Sequence, residues 1–216
     1  VSLEEQLHTT SVTKLLIKLS LPATAAQMVS ALYSVVDRIY ISRIPNIGAD
    51  ALAGLGVCFP LIMFNTAICI LIASGSSALS TIKMGEGNNK DASKLLNGSF
   101  TLLIATGIVL MAVMYLFLSP MLMFFGGSNN TLPYAVEYME IYLLGTVVGQ
   151  INLGMNYFIN SQGYARVGMI SVLCGAIANI VLAPILIFGF NMGIKGAAIA
   201  TVVSQLISAV WVMVFL

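Results

Sequence analysis

The sequence predicts an all-α transmembrane fold, a bundle of six membrane-spanning helices. Three observations predict it. Of 216 residues, 59% are hydrophobic and only 8% are charged, whereas a soluble domain carries about 25% charged residues. The apolar residues fall into six runs, each longer than the roughly 20 residues a bilayer crossing needs. The runs lack period-two alternation and are far longer than barrel strands. A water-soluble domain is excluded. With a net charge of +1 and no basic run, nothing points to nucleic acid.

The spans follow from the polar breaks between them. Span one covers roughly 15–42 and is too long for the apolar core of a cleavable signal. It follows a polar stretch carrying His8, a lone histidine expected to be solvated and to make no metal site. The turn-rich link from Pro45 to Asp50 leads to span two, roughly 52–82. GEGNNKD, from Gly85 to Asp91, leads to span three, roughly 93–118. GGSNN, from Gly126 to Asn130, precedes span four, roughly 133–161. SQGYAR, from Ser161 to Arg166, joins it to span five, roughly 166–189. A hairpin from Asn191 to Lys195 starts span six, roughly 195–216. Pro22, Pro60 and Pro184 lie inside spans, where each removes a backbone donor and permits a bend.

Positive residues give the orientation. Lys14, Lys18, Lys83, Lys90, Lys94 and Arg166 fall on one side; Arg38, Arg43 and Lys195 fall on or near the other. The excess places the amino terminus in the cytoplasm. Cys58, Cys69 and Cys174 sit in apolar runs without metal-ligand spacing and read as buried small hydrophobes. The chain starts at Val1 and stops at Leu216 inside an apolar run, so we expect a piece of a longer protein.

Asp37 is the residue that points to function. A carboxylate inside a spanning helix costs several kcal/mol and is turned to a cavity or a partner. In span one Gln27, Ser30, Ser34 and Asp37 share a narrow face. Arg38, next to it, points about 100° away and is expected to reach out to the interface. In span four Gly145, Gly149, Asn152, Asn156 and Asn160 form a second stripe, and in span six Thr201, Ser204, Gln205 and Ser208 form a third. These stripes either bond helix to helix or line a water-filled cavity. Gly145 and Gly149 form a GxxxG step, which is a packing motif first. Tyr33, Asn152, Asn156 and Tyr157 are candidates for the cavity wall, and the 12 methionines suit a pliable surface for varied apolar ligands. Depth brings three helices together. Asp37, Asn179 with Ala183, and Thr201 all lie roughly 9–16 Å below the outer surface at 1.5 Å per residue. A carboxylate, an amide carbonyl and a hydroxyl are oxygen ligands that suit a hard cation.

At these residues the chain resembles the multidrug and toxic compound extrusion (MATE) family. The matching stretches are LSLPATAAQMVSALYSVVDRIYIS with Pro22 and Asp37, IGADALAGLG, the SQGYARVGMI turn, and ANIVLAPILIFGFNMGIKGAAIATVVSQ from Ala178 to Gln205. The resemblance implies an antiporter, coupled to H⁺ or Na⁺, that exports hydrophobic and cationic drugs across the cytoplasmic membrane. It implies a twelve-helix transporter of two six-helix lobes, with residues 1–216 the amino-terminal lobe and the carboxy-terminal lobe absent. Membrane lipid, drug substrates and that second lobe would be its partners; it needs no cofactor beyond the coupling ion. The resemblance assigns ion binding to Asp37, Asn179 and Thr201. It also exposes a departure, because Ala183 stands where the family pattern NxxxDP has an acid. That weakens a Na⁺ reading more than a proton reading.

Two other classes are weaker. A lipid-linked oligosaccharide flippase of the same superfamily needs several basic residues for a pyrophosphate, and the spans hold almost none. An intramembrane enzyme needs a catalytic partner, and the spans contain no histidine and no second deep acid; we expect no enzyme.

Overall fold

The structure is a computed structural model. It describes residues 12–216, apart from the side chains of 12–16, 18 and 19. His8 and the side chains of Lys14 and Lys18 therefore lie outside the described residues. Every regular element among the described residues is helical. They are α1 (Val12–Ser42), α2 (Gly48–Gly85), α3 (Asn89–Leu116), the short α4 (Leu118–Phe124), α5 (Leu132–Leu144), α6 (Thr146–Ser161), α7 (Ala165–Pro184) and α8 (Gly193–Phe215). A single π turn, Ile185–Gly189, extends α7. Among the described residues, four helices are long and apolar enough to cross a membrane: Gly48–Gly85, Asn89–Leu116, Ala165–Gly189 and Gly193–Phe215.

The structure divides the apolar run of 133–161, expected as one helix, into α5 and α6. Gly145 is the join. Its amide bonds Tyr142 O at 3.0 Å, a tighter turn than an α-helix makes, and the α pattern resumes with Gly149 N to Gly145 O at 2.9 Å. A Cβ at Gly145 would lie 2.6 Å from Val202 Cγ2 of α8. Small residues here let the two backbones approach, as the GxxxG spacing implied. Past residue 118 the chain folds as α4, with Leu118 and Leu122 buried.

Local chemistry sets the other ends. Asn88 caps α3, its side chain accepting from Asp91 N at 3.2 Å. The SQGY turn closes α6 with Gly163 at φ +87°, a left-handed conformation that glycine adopts without strain. After Pro184, which has no amide hydrogen to donate, Phe190 N reaches Ile185 O at 2.9 Å and forms the π turn. Gly196 of α8 packs directly on that turn; a Cβ there would lie 2.8 Å from Leu186 C.

Packing places α1 against α7, α7 against α8, and α2 against α3 and α6, while α5 and α6 both touch α8. Two apolar clusters result. One, at the α1–α2 and α7–α8 connections, holds Ile41, Leu61, Met139, Leu143 and Ile187. The other, toward the opposite ends, holds Cys69, Leu103, Met155, Phe158 and Val212. Cys58 and Cys69 are buried and Cys174 half-buried. Outward faces such as Leu21, Met28, Leu32 and Val35 of α1 are exposed and apolar. That arrangement suits helices whose backbone bonds are internal and whose side chains meet lipid.

Candidate functional site

Between the two apolar clusters lies a cavity of about 420 Å³, walled by α1, α2, α5, α6, α7 and α8. Asp37 stands in its wall. Only 8% of the residue is exposed, and its Oδ1 is buried without a hydrogen-bond donor. That oxygen has no hydrogen bond to offset its loss of water.

The charges of Asp37 and Arg38 act on each other. The phenols of Tyr33 on α1 and Tyr138 on α5 feel the Asp37 charge, and Tyr138 also interacts with Thr201 of α8. Asn179 of α7 is buried and its Nδ2 donates to Thr201 Oγ1 at 3.4 Å. Thr201 donates its own proton to Ala197 O at 3.0 Å. The structure thus joins Asn179 directly to Thr201 and places Thr201 in the cavity wall with Asp37. Ala183 lies one turn beyond Asn179, is fully buried, and belongs to the apolar cluster with Ile187 and Ala197.

As a cation site this set is sparse. The oxygens expected from sequence are the Asp37 carboxylate, the Asn179 amide carbonyl and the Thr201 hydroxyl, of which Asp37 and Thr201 line the cavity. No group of three His, Cys, Asp or Glu forms among the described residues. Those few oxygens are short of the six a hard cation typically collects, but one unpaired carboxylate is enough to hold a proton.

The remaining residues named from sequence divide. Ser30, Tyr33, Ser34 and Asn152 line the cavity. Gln27 is exposed on α1 and Tyr157 is half-buried, neither at the cavity. Asn156 is buried in helix packing instead. Its Nδ2 donates to Gly168 O at 3.3 Å and its Oδ1 accepts from Asn160 Nδ2 at 2.8 Å. Arg38 does not simply reach outward: its guanidinium lies 6.0 Å from the Phe59 ring centroid of α2, and both line the cavity.

Sequence reasoning missed one wall. Tyr138, Tyr142, Thr146 and Gln150 recur every four residues and all line the cavity, with the Tyr138 and Tyr142 rings stacked at 6.0 Å. Opposite them Asn65 of α2 accepts from Gln150 Nε2 at 2.9 Å. The four-residue spacing is the signal that marks this face.

Comparison with known proteins agrees with this architecture. The MatE family pattern matches residues 22–185. An FAD transporter of Shewanella oneidensis is 29% identical over 199 residues, covering 90% of this chain and 43% of that protein. The multidrug export protein MepA of Staphylococcus aureus is 24% identical over 218 residues, covering 98% of this chain and 47% of that protein. A solved outward-facing multidrug resistance MATE transporter of the MOP superfamily superimposes with TM-score 0.87 at 25% identity, over 94% of this chain and 44% of that one. The chain thus spans about half the length of the relatives it matches. With a helical bundle, a buried carboxylate at the wall of a cavity between its helices and a match over most of its length, this multi-pass membrane protein belongs to the MatE family.

Proposed function

We propose that this chain forms the amino-terminal lobe of an exporter of hydrophobic and cationic compounds, driven by exchange for protons, in the cytoplasmic membrane with its amino terminus inside. One observation carries the reading: Asp37 presents a buried, unpartnered carboxylate oxygen at the wall of a cavity of mixed polar and apolar lining inside an apolar bundle. Such a group binds either a proton or a cationic ligand, and the two compete. Loading with substrate therefore favours release of the proton, which is the exchange an antiporter needs. Differential affinity of two conformations for the proton supplies the drive. Pro22 in α1 gives that helix a place to bend.

The names of MepA and of the solved multidrug transporter support drugs as cargo. The sparse oxygen set around Asp37, with Ala183 buried among apolar side chains, supports a proton over sodium. A flippase for a pyrophosphate-linked lipid is less well supported, because Arg38 is the one basic residue lining the cavity among the described residues. The same shortage weighs against the FAD carried by the Shewanella relative. The test is efflux from vesicles containing the complete transporter, under a proton gradient and separately under a sodium gradient. Efflux driven by protons in the absence of sodium supports the reading; efflux driven by sodium alone rejects it.

A further inference from the structure

Thr146 is the one threonine whose hydroxyl is buried without a partner among the described residues. Thr66, Thr81, Thr101, Thr106 and Thr201 each donate their hydroxyl to the carbonyl four residues back. Thr146 does not. Its Oγ1 is buried with no partner, and the residue is only 2% exposed. It opens α6 immediately after the break at Gly145, whose own amide bonds Tyr142 O at 3.0 Å. Yet Thr146 lines the cavity. One turn further along α6, Gln150 Nε2 donates to Asn65 Oδ1 at 2.9 Å, while its Oε1 lies 3.2 Å from Thr106 Oγ1, whose single proton goes to Leu102 O at 2.8 Å. Asn65 makes no other side-chain bond, so its Nδ2 remains free at the cavity wall.

We propose that Thr146 and Asn65 form a second, uncharged binding site in the cavity, which hydrogen-bonds a carbonyl, ester or amide group of the transported compound. Gln150 is a positioning residue that holds the Asn65 amide. The site is separate from the carboxylate site. Tyr138, beside Asp37, lies eight residues before Thr146, a helical distance of about 12 Å. A compound with a cationic end and a polar uncharged end spans the two. Burying an orphan hydroxyl is costly, and a ligand that bonds it recovers the cost. This inference rests on the reading of the cavity as the transport cavity.

The experiment measures equilibrium binding to the complete purified protein of two cationic probes. Rhodamine 6G carries an ester carbonyl; tetraphenylphosphonium carries no hydrogen-bonding group. Thr146→Val keeps the shape and removes the hydroxyl. It is expected to weaken rhodamine 6G binding roughly three- to tenfold, the worth of a hydrogen bond to a buried group. Tetraphenylphosphonium binding should stay within about twofold. Thr146→Ser should restore rhodamine 6G binding, and Asn65→Leu should reproduce the selective loss. Equal loss of both probes, no loss of either, or no rhodamine 6G binding to the unaltered protein overturns the proposal. Binding without gradient-driven efflux would instead reject the antiport reading and leave this site standing.

Discussion

Asn179 donates from Nδ2 to Thr201 Oγ1 at 3.4 Å, and Thr201 passes its own proton to Ala197 O at 3.0 Å. The pair ties α7 to α8, and Thr201 carries it to the cavity wall that also holds Asp37.

Thr201→Val removes the acceptor on which the buried Asn179 amide depends. It should lower stability by about 1–3 kcal/mol, the cost of leaving a buried donor unpaired, and abolish gradient-driven efflux. Thr201→Ser should retain both. Thermal unfolding in detergent and vesicle efflux, measured on the same preparations, check this.

Ala183→Asp places a carboxylate in a fully buried apolar cluster. Without a counter-ion it should destabilise the protein by several kcal/mol or take up a proton. Sodium should then raise the melting temperature of this variant and leave the unaltered protein unchanged. A sodium titration of melting temperature distinguishes the two.

Gly145→Ala forces a Cβ to within 2.6 Å of Val202 Cγ2. Pressing α5 and α6 away from α8 should cost about 1–3 kcal/mol. Gly75→Ala, where nothing lies within 4 Å, should be neutral or gain up to about 1 kcal/mol. The contrast in unfolding midpoint between the two variants is the measurement.

Asn152 and Asn156 separate wall from packing. Asn156→Ala should lower stability by about 0.6 kcal/mol for each interhelical bond lost and leave the relative efflux of different drugs unchanged. Asn152→Ala should change that relative efflux with little effect on unfolding. A panel of drugs assayed alongside melting curves decides between them.

The parts of this site that could be read in the sequence were those with a large local penalty. Asp37 stood out because a carboxylate in an apolar run is costly wherever it points. Asn179 and Thr201 came from their motif and their depth, and the structure joins them by a hydrogen bond. Thr146 and Gln150 escaped notice because reading 133–161 as one helix drew attention to the face carrying Asn156 and Asn160. Much of that face turned out to be packing against Gly168. At the break, Gly145 packs on Val202, a residue far along the chain, and no local pattern announces that contact. Asn65 is a single amide in a 38-residue helix, and its partner Gln150 lies 85 positions away. Arg38 was misplaced for a similar reason: the Phe59 ring that receives it belongs to the next helix.

The most direct test of the central claim is Asp37→Asn in the complete transporter, reconstituted in vesicles under an imposed proton gradient. The substitution keeps the shape and removes the titrating group. The account predicts that the proton gradient no longer drives efflux in the variant, while rhodamine 6G loaded in the absence of a gradient still reaches equilibrium across the membrane. Gradient-driven efflux equal to that of the unaltered protein would contradict it.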